Sequence, residues 1–127
     1  MAGILFQTTK NLSKIIDFYT TKIEAKIWIN QTDCIILKHD NFLLGFCQRE
    51  KISTGCLVTF FYSSKQEVDR IFQTLKDYAV TNPMENKKYN IYQFFAKDPE
   101  GRDLEFQAFL HEIDFDWRSY NTVSIED

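Results

Sequence analysis

Hydrophobic residues recur at helical spacing in two stretches of the chain. The first begins after Asn11, a residue type favoured at helix N-caps because its side chain accepts a hydrogen bond from a free backbone amide. Its apolar positions fall at i, i+3, i+4, i+7 and i+11, on one face of an α-helix. They are Leu12, Ile15, Ile16, Tyr19 and Ile23. The pattern predicts an amphipathic helix.

The second helical stretch begins at a capping box. Ser64 and Glu67 have the spacing at which each side chain can bond the free backbone amide of the other residue. The apolar face predicted to follow consists of Val68, Ile71, Phe72, Leu75 and Tyr78. A second amphipathic helix is therefore expected.

Short apolar and aromatic runs between polar turn residues predict the strands. In the first half of the chain these runs are 4–8, Lys26–Asn30, Cys34–His39 and Phe42–Gln48. In the second half they are 56–62, 90–96 and a last strand from Asp103 through Phe109, with a weaker segment at 80–85. Residues 51–54 are predicted to be a linker.

The sequence from Asp98 to Gly101 predicts a tight turn. Pro99 pre-sets the backbone angle φ at the first central position, and Gly101 tolerates a backbone conformation that other residues avoid. The turn joins the last two strands into a hairpin. Glu105 follows in an otherwise apolar strand, where its carboxylate is expected to project from a sheet face into a cavity.

The order strand, helix and three strands occurs twice, with the two helix patterns offset by 56 residues. Such a repeat predicts two βαβββ modules, at about 3–49 and 55–110, within a single domain of residues 1–127. Each module forms a four-stranded mixed sheet with its helix on one face. The fold class is α+β, and the two sheets curl around a cleft with the helices outside. Residues 111–127 form a C-terminal extension.

Composition narrows the possible partners. Hydrophobic residues make up 44% of the 127 residues, enough for a sizeable core, and the net charge of −3 gives no basic footprint for nucleic acid. No apolar run approaches the ~18 residues of a membrane span, and no signal peptide is evident. The three cysteines form no C-x-x-C pair. We expect reduced thiols in a cytoplasmic protein that binds neither membrane nor nucleic acid.

Three motifs resemble those of the vicinal oxygen chelate superfamily, the glyoxalase, bleomycin-resistance and dioxygenase proteins. They are a helix start that runs to a Phe-Tyr pair at 11–19, a strand that opens the second module at 55–60, and the turn 98–101 with Glu105-Phe106. The resemblance implies the two-module cleft described above. In the bleomycin-resistance branch it also implies ligand sequestration at sites formed where two chains meet.

Metal-dependent members of this superfamily carry His or Glu at four strand positions. The resemblance places these positions near Ile4, in the strand Phe42–Gln48, at Cys56 and at Glu105. Only Glu105 matches, and residues 43–46 contain no ligand. One carboxylate and one thiol are too few for a hard divalent ion. We therefore expect no metal and no cofactor.

Glu105 is the candidate catalytic residue, as a pocket acid that orients a ligand or acts as a general base. The alternative is a structural role, in which Glu105 pairs with Arg102 or a tyrosine hydroxyl. Cys56 is expected to be a packing residue. With Cys56 facing the cleft, alternation puts Val58, Phe60 and Tyr62 there, and Leu57, Thr59 and Phe61 toward the helix. The complete set of predicted ligand-binding residues is Trp28, Phe46, Cys56, Val58, Phe60, Tyr62, Asp103, Glu105, Gln107 and Phe109.

Further predictions concern four residues outside this set and the end of the chain. His39 is expected to face solvent and His111 to lie outside any ligand spacing, so neither is expected to be catalytic. Phe115 and Trp117 in the extension are expected to dock somewhere, as an extra strand or as an arm across a partner subunit, and 121–127 to be frayed.

The favoured function is a metal-independent homodimer that binds a small organic molecule, with an acidic cleft wall selecting a cationic or hydrogen-bond-donating ligand. The alternative is a metal-dependent lyase, isomerase or dioxygenase related to glyoxalase I. A third hypothesis is a structural or regulatory dimer whose cleft is filled by aromatic rings.

Overall fold

The computed structural model describes residues 1–117. The first module consists of β1 (Leu5–Thr9), α1 (Leu12–Thr21), β2 (Lys26–Asn30), β3 (Cys34–His39) and β4 (Phe42–Gln48). The second consists of β5 (Leu57–Tyr62), α2 (Lys65–Leu75) with a 3₁₀ turn (Lys76–Tyr78), β6 (Met84–Asn86), β7 (Ile91–Lys97) and β8 (Asp103–Phe109). The predicted order of elements is confirmed. The weak segment predicted at 80–85 overlaps the short strand β6, which ends one residue later.

Each module forms a four-stranded mixed sheet, as predicted. Sheet 1 has the strand order β1-β4-β3-β2, and sheet 2 has the order β5-β8-β7-β6. The pairs β1–β4 and β5–β8 are parallel, and the other pairs are antiparallel. The molecule is therefore α+β, and its two sheets are not closed into a barrel.

The helix caps confirm both predicted helix starts. The Asn11 side chain accepts from the backbone amide of Lys14 at 3.2 Å, and Ser64 accepts from that of Glu67 at 3.3 Å. Counting from the caps, Ile15 corresponds to Val68 and Phe18 to Ile71, an offset of 53 rather than 56 residues. The sequence pattern was misleading because a three-residue shift is close to one helical turn.

One hydrophobic core joins both modules. It contains the buried faces of α1 and α2 and one face of each sheet. Phe60, Phe106 and Phe94 stack in sequence at centroid distances of 5.3 and 5.0 Å. Phe18 of α1 meets Tyr78 of the second module at 4.8 Å. The opposite face of each sheet carries no helix, and we call these the open faces.

A buried ion pair in the β7–β8 turn ties the modules together. Arg102 lies 3.0 Å from Asp98, and both side chains are almost completely buried. Tyr19 of α1 donates to the same carboxylate at 2.8 Å. The Arg102 guanidinium also donates to the carbonyl oxygens of Ser53, at 3.1 Å, and Thr8. The turn itself closes as predicted, with Gly101 at a φ of +86°.

Two expectations about individual residues are wrong. Cys34 and Cys47, which are directly opposite each other on β3 and β4, form a disulfide, and only Cys56 is a free thiol. His39 is not solvent-facing, because its ring packs against Phe60 at 5.3 Å and contacts the Tyr62 hydroxyl at 3.4 Å. Burial lowers the pKa of His39 below its usual value of 6.5.

The C-terminal extension folds back on the second module. Phe115 and Trp117 lie against Phe61 of β5, with ring centroids 5.1 and 5.5 Å away, so the expected docking of both rings occurs within the chain. The expectation for residues 121–127 lies outside the described residues. Within the described part of the chain, neither helix has the length and hydrophobicity that crossing a membrane requires.

Candidate functional site

The open face of sheet 2 holds a cavity of about 530 Å³. This volume falls in the range of about 300–1,000 Å³ that is typical of small-molecule sites. All of its lining residues belong to the second module. They are Leu57, Asn86, Tyr89, Ile91, Gln93, Phe95, Glu105, Gln107 and Phe109.

Glu105 lies at the polar centre of this cavity. It is directly opposite Thr59 on the parallel neighbour β5, and the Thr59 hydroxyl donates to its Oε1 at 2.8 Å. Gln93 of β7 donates through Nε2 to Oε2. The Gln93 amide is oriented in turn by Asn86, which donates to its Oε1 at 2.8 Å. Three strands therefore fix the Glu105 carboxylate.

The hydrogen-bond partners of Glu105 are all neutral. No basic side chain among residues 1–117 forms an ion pair with it. Arg102, which the sequence offered as a partner, is bound to Asp98 and lies 2.9 Å from Glu100. Because Glu105 is only 8% exposed, its carboxylate is partly desolvated without a compensating cation. A ligand that carries positive charge or N–H donors would provide that compensation.

The rest of the cavity is largely apolar. Ile91, Phe95 and Phe109 line it, and Leu57 and Tyr89 at its edge are 50% and 60% exposed. Such a surface suits the hydrophobic part of an amphipathic ligand, because apolar area gains free energy when it is removed from water.

Comparison with known proteins identifies the fold to which this geometry belongs. No protein-family model and no curated sequence matches the chain. Solved structures do match. A glyoxalase/bleomycin resistance protein/dioxygenase from Alicyclobacillus acidocaldarius superimposes with a TM-score of 0.70 at 20% identity, over 94% of this chain and 95% of that one. The chain has the glyoxalase/bleomycin-resistance fold.

Two further structures with this fold are similar to the chain. A glyoxalase/bleomycin resistance protein/dioxygenase from Nocardioides matches with a TM-score of 0.71 at 18% identity, covering 89% of this chain and 85% of that one. Lactoylglutathione lyase from Agrobacterium tumefaciens matches with a TM-score of 0.70 at 14% identity, covering 85% and 92%. The resemblance to the vicinal oxygen chelate superfamily is thereby confirmed at the level of the fold.

Within the glyoxalase/bleomycin-resistance fold, the structure brings together three of the ten predicted residues: Glu105, Gln107 and Phe109 line the cavity. It places Val58, Phe60 and Tyr62 on the helix-facing side of sheet 2, in the core, so the face predicted for them is wrong. The prediction counted alternation from Cys56, which precedes β5. The register Thr59–Glu105 instead fixes Leu57 and Thr59 on the open face.

The other predicted residues lie away from the cavity. Phe46 is fully buried between the ring of Tyr19 and the guanidinium of Arg102, at 4.9 and 5.2 Å. Trp28 lies on the edge strand β2 of sheet 1 and is 48% exposed. Cys56 is exposed, contrary to the packing role expected for it. Asp103 is exposed and pairs with Lys97 at 2.6 Å, so it adds no free charge to the cavity wall.

The sequence analysis missed the contribution of β6, β7 and the turn between them. The alternating residues Ile91, Gln93 and Phe95 all face the cavity, and Asn86 and Tyr89 border it. One signal was available. Gln93 is a polar residue inside an aromatic strand, the same kind of exception that identified Glu105.

The donor set at this site does not fit a divalent metal ion. Among residues 1–117, no three His, Cys, Asp or Glu side chains lie close enough to hold one. The neighbours of Glu105 are an alcohol and neutral amides, and the thiol of Cys56 is not in the cavity lining. A hard ion prefers several carboxylate, imidazole or water ligands.

Proposed function

We propose that the chain binds a small organic molecule on the open face of sheet 2, in a site completed by a second copy of the chain, without a metal ion. The observation that carries this proposal is the partly desolvated Glu105, which has only neutral partners at the centre of a cavity of about 530 Å³. The favoured ligand joins an apolar or aromatic body to an amidinium, ammonium or amide group. That group would bond the Glu105 carboxylate.

Exposed apolar residues support the homodimer. On sheet 1 they include Phe6 at 49%, Ile27 at 53% and Trp28 at 48% exposure, and on sheet 2 they include Leu57 at 50%. Large apolar side chains that remain exposed on a sheet are typical of an interaction surface. A second copy offers a complementary pairing, because each chain presents one open face with an apolar centre, flanked by Lys26 and Lys38, and one open face with Glu105 at its centre. Pairing sheet 1 with sheet 2 of another copy would cover both.

The alternative function is a lyase related to lactoylglutathione lyase, and it is favoured by the structural match to that enzyme and by the presence of Glu105. It requires further metal ligands. The open face of sheet 1 supplies none at its centre, where Phe6, Ile36 and Gly45 are neighbours. Pairing two copies therefore does not complete a ligand set, and we favour the metal-independent function.

The ligand class is tested with benzamidine, a flat ring that carries an amidinium, and with benzamide as its neutral analogue. Calorimetry should show benzamidine binding that is lost in Glu105→Gln and retained in Glu50→Gln, an exposed acid outside the cavity. Benzamide should bind at least about tenfold more weakly, because only the amidinium adds a positive charge and two parallel N–H donors that match the carboxylate. Equal binding to wild type and Glu105→Gln would refute the proposal.

The dimer and the metal are tested separately. Sedimentation equilibrium should give twice the 15.1 kDa chain mass, and Trp28→Glu should give the single chain mass. Elemental analysis followed by calorimetric titration with Zn, Ni, Mn and Fe(II) should show no stoichiometric ion. Tight binding of one ion per chain would favour the lyase.

A further inference from the structure

A second cavity, which we call the tail pocket, lies between the β3–β4 turn, the edge strand β5 and the C-terminal extension. Its volume is about 230 Å³. It is lined by His39, Asp40, Asn41, Phe42, Thr59, Phe60, Phe61, Phe115 and Trp117. It shares Thr59, whose hydroxyl bonds Glu105, with the site of the proposed function, which uses none of its other lining residues.

Aromatic rings dominate this pocket. Phe61, Phe115 and Trp117 form a trio with centroid distances of 4.6–5.5 Å and interplanar angles of 64–73°. Phe42 and His39 approach Phe60 edge-on from the opposite side. Because the rings stand at steep angles to one another, they present π faces in several directions. Surrounding a cation with such faces is the way proteins recognise quaternary ammonium groups.

The charge around the pocket has one sign. Asp40 is its only charged lining residue apart from the titratable His39, and no lysine or arginine lines it. The extension from 111 to 117 also carries Glu112 and Asp114 outside the pocket lining and contains no lysine or arginine. A small anion would therefore be repelled, and a small cation attracted.

The nearest arginine on α2 does not change this balance. Arg70 is paired with Glu24 at 2.9 Å and with Glu67 at 3.4 Å. Two carboxylates thus offset its single positive charge. In the described part of the chain Asp40 takes part in no ion pair, which leaves its carboxylate available to a ligand.

We propose that the tail pocket binds a small quaternary ammonium cation. The pocket is smaller than the roughly 300 Å³ at which drug-sized sites begin, so it suits a group of the size of choline. This chemistry differs from that at Glu105, where the carboxylate favours ligands with N–H donors. The ring faces favour a diffuse charge that carries no hydrogen-bond donor.

Choline and its neutral analogue 3,3-dimethylbutan-1-ol, which replaces the ammonium nitrogen with carbon, test the proposal. The two tryptophans give separate indole N–H signals in a ¹⁵N-edited NMR spectrum, and Trp28 on sheet 1 serves as an internal control. Choline should shift the Trp117 signal in a saturable manner and leave that of Trp28 unmoved. The neutral analogue should bind about 2- to 30-fold more weakly.

Variants locate the site. Asp40→Asn should weaken choline binding, and it is a mild change because asparagine tolerates the φ of +53° at this position. Trp117→Leu should abolish binding as measured by calorimetry. Asp17→Asn, an exposed acid on α1, and Glu105→Gln should bind choline as wild type does.

Three results would each overturn the proposal: no shift of Trp117 at any choline concentration, equal binding of choline and its neutral analogue, or loss of choline binding in Glu105→Gln. The last result would place the cation in the cavity of sheet 2 instead. It would leave the proposed function standing.

Discussion

The ring of Phe6 occupies the space that a side chain at Gly45 would need. The two residues are directly opposite each other on β1 and β4, and a Cβ added to Gly45 would lie 2.5 Å from two ring atoms of Phe6. Thr59 and Glu105 hold the corresponding positions in the second module, since Phe6 and Thr59 each precede their helix N-cap by five residues. Where the second module has the Thr59 hydroxyl beside the Glu105 carboxylate, the first module has the Phe6 ring beside Gly45.

Gly45→Ala should therefore destabilise the protein by about 1–3 kcal/mol, the usual cost of inserting a methyl group into a filled space. The same change in a Phe6→Ala background should be neutral or stabilising, because alanine in a strand costs less conformational entropy than glycine. Urea unfolding of the wild type, the two single variants and the double variant measures the energetic coupling between Phe6 and Gly45. Additive effects within about 0.5 kcal/mol would show that the Phe6 ring simply moves aside.

Removing the buried Arg102 should be far more costly than removing an exposed charge nearby. Arg102→Ala leaves the fully buried Asp98 carboxylate without its cation, which is expected to cost about 3–5 kcal/mol. Asp103→Asn on the same strand breaks the exposed pair with Lys97 and should cost less than about 1 kcal/mol. Thermal and urea unfolding compare the two variants. Similar losses would mean that Asp98 finds another partner.

Stability should fall as His39 becomes protonated in the unfolded chain. Burial lowers its pKa in the folded state, and Arg70 lowers it further, while Asp40 and Glu24 oppose the shift without reversing it. The folded protein therefore binds fewer protons than the unfolded chain. The stabilisation is complete above the ordinary pKa of about 6.5 and is lost as the pH falls toward the lower folded value.

His39→Gln removes this titration. Between about pH 7 and pH 5 the wild type should lose more unfolding free energy than the variant, because all other titratable groups are the same in both. Denaturant midpoints at each pH give the difference between the two curves. Parallel curves would show that His39 does not contribute.

The Cys34–Cys47 disulfide gives a prediction that is simple to check. Unfolded without reductant, the protein should show one reactive thiol, and after reduction it should show three. Cys34→Ser should lower the unfolding free energy by roughly 2–4 kcal/mol. Cys56→Ser should leave it unchanged. Three reactive thiols before reduction would contradict the cross-link and fit a reducing compartment.

Local sequence patterns were sufficient to predict most of the fold. Asn11 and Ser64 marked both helix starts because an N-cap depends on a side chain and an amide three residues away. The alternation of side chains along each strand was also predicted correctly. A strand has only two faces, however, so an error of one residue in the count exchanges them. Counting from Cys56 rather than Leu57 therefore moved Val58, Phe60 and Tyr62 to the wrong face.

The features that the sequence analysis missed depend on contacts between distant residues. Gln93 reaches Glu105 because β7 and β8 pair with a register that the turn alone does not specify. His39 is half-buried because its strand meets Phe60 of the other module. The cysteine count gave no sign of a cross-link, since Cys34 and Cys47 become neighbours only when β3 and β4 form a hairpin.

Besides the shared core and the buried Arg102–Asp98 pair, both modules bind backbone atoms of the segment that connects them. Arg102 bonds the carbonyl of Ser53, and the Thr8 hydroxyl bonds the carbonyl of Lys51 at 2.6 Å. Every amino acid has a backbone carbonyl, so side chains such as that of Lys51 can change during evolution. The number of residues in the connecting segment cannot change as easily, because one insertion or deletion would move these carbonyls away from the groups that bind them. Among relatives of this chain, the connection should therefore keep its length and vary in sequence, except at Ser53, whose hydroxyl accepts from the Thr8 amide at 2.8 Å.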